Sequence, residues 1–143
     1  AQANLIKVTD AKSVHGITRF TYDEINRVSK TIDPLGNFET FGHDLNGNLK
    51  THTDRKNQIF TFTYDVANRL TQKEFPAAPG TPGNTIVSFG YDNNQNGNLK
   101  DDNDNLAKVT SPDAVLTYVY DGFDQLSTAK TTGSPNQPDV TIS

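Results

Sequence analysis

The chain has 143 residues, of which 33% are hydrophobic and 21% charged, and its net charge is −4 at pH 7. This low hydrophobic content disfavours a large spherical core, and the acidic balance argues against nucleic-acid binding, which needs clustered lysine and arginine. Because the chain has no cysteine, a disulfide framework, a thiolate zinc site and a cysteine nucleophile are excluded. No apolar run reaches the roughly 20 residues of a membrane-spanning helix, so we expect no membrane span.

A repeat centred on a Tyr-Asp pair organises the sequence. Residues 22–28 (YDEINRV) recur at 64–70 (YDVANRL), and residues 43–49 (HDLNGNL) lie halfway between them, at spacings of 21 residues. Further copies begin at Tyr91 and Tyr120, after spacings of 27 and 29 residues. Asn4-Leu5 resembles the end of another copy, and the chain stops partway into the next. We therefore expect residues 1–143 to be one segment of about five repeats, partial at both ends, within a longer array.

Each copy is predicted to contain two strands. Before every Tyr-Asp pair apolar residues alternate with threonine, serine, glycine or another residue, as in Phe20-Thr21-Tyr22 and Phe62-Thr63-Tyr64. This period of two is typical of half-buried strands, and no window has the spacing of an amphipathic helix. The sequence predicts an all-β fold of consecutive antiparallel hairpins.

The turn after each Tyr-Asp pair is predicted from two positions. The aspartate can accept a hydrogen bond from the backbone two residues on, and the last turn residue is asparagine, glycine or aspartate, which tolerate positive φ. The structural turn residues predicted on this basis are Asp23, Asn26, Asp44, Gly47, Asp65, Asn68, Gly97, Asp121 and Asp124. In the copy at Tyr91, the turn is predicted to end at Gly97, with Leu99 starting the returning strand.

The opposite turns follow the same logic less regularly. Residues 33–37 (DPLGN), 54–57 (DRKN) and 111–114 (SPDA) combine proline, glycine or asparagine in ways that favour turns. Residues 75–84 contain three prolines and two glycines, so we expect an exposed, protruding inserted loop there.

A candidate calcium loop begins at Asp92. Oxygen-bearing side chains at its first, third and fifth places, with Gly97 at the sixth, imitate an EF-hand loop, but the twelfth place is Asn103 rather than the usual glutamate. The alternative is an elongated turn rich in asparagine. The candidate metal ligands are Asp92, Asn94, Asn96, Asn98 and Asp104, which Asp101 or Asp102 could supplement.

No arrangement of residues indicates catalysis. The repeat spacing of Asp23, Asp65, Asp92 and Asp121 favours a structural role, and His15, His43 and His52 lack the spacing of zinc ligands. We expect His43, in a tyrosine position, to be a packed or stacked imidazole, and Asp23 to pair with Arg27. The alternating aromatic residues suit cross-strand pairing; a sugar-stacking platform is the alternative.

The Tyr-Asp pattern resembles the YD repeat of the Rhs, Tc-toxin C-component and teneurin family. His43 departs from the usual tyrosine and Asp124 from the usual glycine. The resemblance implies a long β-sheet that spirals into a hollow shell, which in bacterial members encloses a C-terminal toxin. It also implies a secreted or cell-surface protein. Asp33-Pro34-Leu35-Gly36 is similar to the family's self-cleavage motif, but more repeats follow it, so we interpret it as a turn.

The sequence thus predicts a non-enzymatic structural segment of a shell, with no cofactor unless calcium binds. Its expected partners are the rest of a longer repeat chain and an enclosed toxin cargo. The alternative is an extracellular fibre or adhesin whose copies join through open strand edges, with calcium or carbohydrate binding as a further hypothesis.

Overall fold

The computed structural model describes residues 4–9, 16–77, 80, 83–91, 104–133 and 141–142. In these residues all regular structure is β-strand, which confirms the predicted all-β class. No helix that could cross a membrane is found among them. The strands are β1 (Lys7–Thr9), β2 (Ile17–Tyr22), β3 (Val28–Ile32), β4 (Phe38–His43), β5 (Leu49–Thr53), β6 (Ile59–Tyr64), β7 (Leu70–Phe75), β8 (Thr85–Tyr91), β9 (Leu106–Thr110), β10 (Val115–Tyr120), β11 (Leu126–Thr132) and β12 (Thr141–Ile142).

The chain forms two compact units, Ala1–Phe62 and Thr63–Ser143, and the boundary falls within β6. In the first unit each strand from β1 to β5 pairs antiparallel with the next strand in the chain, the last of these pairs being β5 with β6. The same holds from β7 to β12 in the second unit. Each unit is therefore a meander in which sequence neighbours are also sheet neighbours, as consecutive short turns require.

The two faces of the first unit have different side chains, because successive residues of a strand point to opposite faces. Phe41 pairs with His52 and His52 with Phe60, so this face is aromatic. On the other face Thr40 pairs with Thr53 across β4 and β5. No described side chain is buried from solvent, so stability comes from the hydrogen-bonded ladder and from contacts between neighbouring strands rather than from a central core.

The predicted insertion between β7 and β8 is closed at its base. The Asn84 side chain accepts a hydrogen bond from the Ala77 backbone N–H at 3.0 Å and donates one to Glu74 Oε1 at 2.7 Å. Residues 78, 79, 81 and 82 of this predicted loop lie outside the described residues. Asn84, which follows the three prolines and two glycines of this segment, thus joins the end of β7 to the start of β8.

Candidate functional site

The same aspartate-centred turn links successive strands at both rims of the sheet. In the turn of residues 65–69, Asp65 Oδ1 accepts hydrogen bonds from the backbone N–H groups of Ala67 and Arg69, each at 2.9 Å. The Asn68 N–H donates to the Asp65 carbonyl at 3.0 Å, and Asn68 has a φ of 62°. This is a type I turn closed by a left-handed residue. We call it the Asp-turn.

In every Asp-turn the aspartate carboxylate accepts two backbone hydrogen bonds, and the residue three positions after the aspartate has a positive φ. The turns at the Tyr-Asp rim were predicted as such, but the sequence analysis did not assign the same role to the aspartates at the opposite rim. Their spacing of 10 or 11 residues from the Tyr-Asp aspartates is the signal that identifies them. The described Asp-turns begin at Asp23, Asp33, Asp44, Asp54, Asp65 and Asp121, and their left-handed residues are Asn26, Gly36, Gly47, Asn57, Asn68 and Asp124.

The hydrogen bonds of the turn stabilise the ionised carboxylate. The backbone N–H of Arg27 is the largest cause that lowers the pKa of Asp23, against an opposing effect of desolvation, and the N–H of Arg69 has the same effect on Asp65. The Asn37 side-chain amide is the main cause that lowers the pKa of Asp33. Hydrogen bonds to the charged form of a carboxylate favour that form. The ionised aspartates are therefore the form that closes these turns.

Two arginines extend the turn contacts to the next copy of the repeat. Arg27 Nε donates to Asp23 Oδ2 at 2.7 Å, the pair expected from the sequence, and its Nη1 donates to the Asp44 carbonyl at 3.1 Å. Arg69 Nε makes the equivalent bond to Asp65 at 2.7 Å, and its Nη1 donates to Asp104. The residue after the left-handed position therefore connects consecutive turns along the Tyr-Asp rim.

The tyrosines of the repeat provide a second connection between copies. Tyr22 Oη donates to the Leu5 carbonyl at 2.5 Å, Tyr91 Oη to the Leu70 carbonyl at 3.0 Å and Tyr120 Oη to the Leu106 carbonyl at 3.0 Å. Leu70 and Leu106 are the first residues of β7 and β9, and Leu5 lies two residues before β1. We call this contact the tyrosine clamp. The alternating pattern predicts the tyrosines only as cross-strand aromatics, and the clamp has no sequence signal because its acceptor is a backbone atom far along the chain.

The clamp corrects the predicted alignment of the copy at Tyr91. The strand that returns from this turn begins at Leu106, which pairs with Tyr91, and not at Leu99. Asp104, with a φ of 63°, lies two residues before Leu106, as Asn26 lies two residues before Val28. Gly97 lies outside the described residues, so its turn role stays a prediction. Asn105 Nδ2 donates to Asp124 at 3.1 Å, as Asn4 donates to Asn26 at 2.8 Å. The Asn-rich segment supplied an earlier glycine and leucine that imitate the end of a turn.

The calcium hypothesis stays a prediction. Asp92, Asn94, Asn96 and Asn98 lie outside the described residues, as does Gly97. The Asp104 carboxylate accepts a hydrogen bond from Arg69 and so is already engaged with a cation. Among the described residues there is no group of three or more His, Asp or Glu side chains that could hold a metal ion.

The two described histidines have different surroundings. The stacked imidazole is that of His52, whose ring lies parallel to Phe41 with centroids 4.9 Å apart and faces Phe60 at 5.7 Å. His43 is 14% exposed and lies beside the turn, with Nδ1 3.9 Å from Asp23 Oδ2. A histidine in the tyrosine position thus faces the preceding Asp-turn, where the other copies place a phenol.

Comparison with known proteins agrees with the repeat geometry. A family model described as RHS Repeat matches residues 43–74, and no curated protein matches the sequence. The Photorhabdus luminescens Tc holotoxin pore has a similar fold, with a TM-score of 0.66 and 17% identity over 87% of this chain and 6% of that chain. The TcdB2-TccC3-TEV structure is also similar, with a TM-score of 0.67 and 17% identity over 92% of this chain and 6% of that one. For the TcdB2-TccC3 structure without its hypervariable C-terminal region, the TM-score is 0.66 and the identity 18%, over 90% and 7% of the two chains.

The chain spans less than a tenth of the length of these structural matches. At such identities the likeness concerns the fold, which is the meander of antiparallel hairpins. The Tyr-Asp copies, the Asp-turns and the family match at residues 43–74 agree with one another. Residues 43–74 thus match the RHS repeat, also called the YD repeat, and the other Tyr-Asp copies have similar turns.

Proposed function

We propose that this segment is a non-enzymatic part of the wall of a hollow shell, in a secreted or cell-surface protein related to toxins. The main support is that every described cross-repeat contact joins one copy to the next while no described side chain is buried. Such a sheet grows by adding repeats and encloses nothing until many are present. Its similarity to small parts of much longer Tc toxin chains fits this role.

The partners follow from the same proposal. The segment is stabilised by the repeats on either side of it in a longer chain, through the tyrosine clamps and the arginine contacts between turns. A toxin held inside the completed shell is the proposed cargo. The chemistry of the described residues fits this passive role, since the repeated aspartates are engaged with backbone N–H groups and arginines rather than directed towards a cleft.

A fibre or adhesin built from copies of this chain is the second candidate function. One observation favours it: Leu5, Ile6 and Val8, at the β1 edge, are 59%, 69% and 46% exposed. An apolar strand at the edge of a sheet offers unpaired backbone groups to a second strand. On this alternative, copies would join edge to edge.

Light scattering of the purified segment over a concentration series separates the two proposals. The wall proposal predicts a species whose mass stays constant with concentration, because a wall segment takes its neighbours from its own chain. Growth into linear species would refute the wall proposal and support the fibre. Thermal unfolding of the same segment with calcium and with EDTA tests the calcium hypothesis, since calcium binding to the folded loop would raise the melting temperature.

A further inference from the structure

Four side chains form a connected charge cluster at the rim opposite the Tyr-Asp turns of the first unit. Arg55 lies between two carboxylates, with Nη1 3.4 Å from Asp33 Oδ2 and Nε 3.0 Å from Glu39 Oε1. The second oxygen of Glu39 faces His52, with Oε2 3.5 Å from Nε2. The cluster therefore contains two negative groups, one permanent positive group and one imidazole. We call it the His52 cluster.

The contacts of the His52 ring depend on whether the imidazole carries a charge. Its Nε2 atom is shielded from solvent and makes no hydrogen bond, although Glu39 lies within ion-pair distance. The ring is also stacked between Phe41 and Phe60, whose faces attract a cation. With a neutral imidazole the cluster has a net charge of −1, and with an imidazolium its charge is balanced. Protonation therefore adds an ion pair and cation–π contacts that an unfolded chain lacks.

The charged neighbours of His52 come from strand β4 and from the turns before β4 and after β5. Strand β4 contributes Glu39, the turn after β5 contributes Arg55, and Asp33 acts through Arg55. Strand β6 has the sequence IFTFTY and so presents no carboxylate or basic side chain. The other titratable groups near in sequence or on the adjoining strands are Lys50, Asp54, His43 and Tyr64.

The charge around His43 differs from the charge around His52. The carboxylate it faces, Asp23, is already paired with Arg27 through the same oxygen, Oδ2. Protonation of His43 would leave that group with an excess positive charge. The two histidines thus lie beside carboxylates at similar distances, but only at His52 does a proton balance the local charge.

We propose that the His52 cluster is a pH-sensitive element that strengthens the first unit as the pH falls through the ordinary titration range of histidine. The protonated ring gains the ion pair with Glu39 and the contacts with the two phenylalanine faces, and this contribution is lost when the ring gives up its proton. Carboxylic acids ordinarily titrate near pH 4, so an interval from pH 5.5 to 7.5 isolates the imidazole. A shell wall with this element is firmer in a mildly acidic compartment than at neutral pH.

The test compares thermal unfolding of the 143-residue chain at pH 5.5 and pH 7.5. For the unmodified chain we expect the melting temperature to be higher at pH 5.5 by about 1–4 °C, as suits an ion pair whose side chains are 26% and 27% exposed. His52→Phe keeps an aromatic ring in the stack, and Glu39→Gln keeps the shape of the partner; both should lose this pH-dependent gain. His43→Phe, the matched control, should retain it.

Two results would overturn the proposal. One is that His52→Phe and Glu39→Gln show the same difference between the two pH values as the unmodified chain. The other is that His43→Phe abolishes the difference. If His52→Phe fails to fold, Glu39→Gln alone decides, because it removes the negative partner of His52 and leaves the three stacked rings in place.

Discussion

The left-handed residue of the Asp-turn gives the sharpest test of the fold. Asn68 has a φ of 62°, and its N–H closes the turn onto the Asp65 carbonyl. An L-residue with a branched β-carbon is strained there, whereas glycine is not. We expect Asn68→Val to be less stable than Asn68→Gly. The comparison isolates strain, because both variants lose the asparagine side chain.

The size of the effect follows from the conformation. Holding a non-glycine residue in a sparsely populated region costs about 1–3 kcal/mol, so the valine variant should melt about 3–10 °C below the glycine variant. Circular dichroism measures the melting temperatures, and hydrogen exchange of the Arg69 amide, which donates to Asp65, locates the loss at this turn. Equal melting of the two variants, or unchanged exchange at Arg69, would refute the turn assignment.

Three further predictions test the contacts between strands and copies. In urea unfolding, Gly42→Ala should lower stability by about 1 kcal/mol, because the new Cβ would lie 2.4 Å from Thr51 Oγ1 and force the threonine side chain to rotate. Gly90→Ala, whose Cβ would lie 3.5 Å from Lys108 Cβ, should be as stable as the unmodified chain in the same titration. Tyr91→Phe removes the clamp to the Leu70 carbonyl and should cost about 1 kcal/mol in urea unfolding; equal stability of the phenylalanine variant would show that the clamp contributes nothing. The lowered pKa of Asp65 means that its ionised form stabilises the fold above about pH 4, where the free side chain is ionised, and that this contribution is lost as the pH falls through the lower folded value. Asp65→Asn should therefore show a weaker loss of stability between neutral and acidic pH than the unmodified chain, and Asp113→Asn, at an exposed turn residue, should show the full loss.

Local features of this fold could be predicted from sequence because they depend on local chemistry. The alternation around Phe20 and Tyr22 predicts a strand, and an aspartate followed three residues later by asparagine or glycine predicts a turn with positive φ. The same rule applies at Asp33 and Asp54, but a search that started from tyrosine did not relate them to the Tyr-Asp turns. A search for aspartates spaced by 10 or 11 residues would have found both rims.

The features that could not be predicted from the sequence depend on contacts between residues far apart in the chain. The tyrosine clamp joins Tyr120 to a carbonyl 14 residues earlier, and its acceptor has no sequence signature. The return strand at Leu106 was misplaced because Gly97 and Leu99 imitate the end of a turn within the insertion. The His52 cluster likewise draws residues from strands β4 and β5 and from the turns before β4 and after β5, so its charge balance follows from register rather than from any motif.

Electron microscopy of a full-length natural chain that contains this segment tests directly whether the segment forms part of a shell wall. We expect a closed, hollow particle in which the strands from β2 to β11 lie in the wall, with each hairpin paired to the next. An open filament, or a particle in which this segment forms a solid sandwich with a buried core, would contradict it.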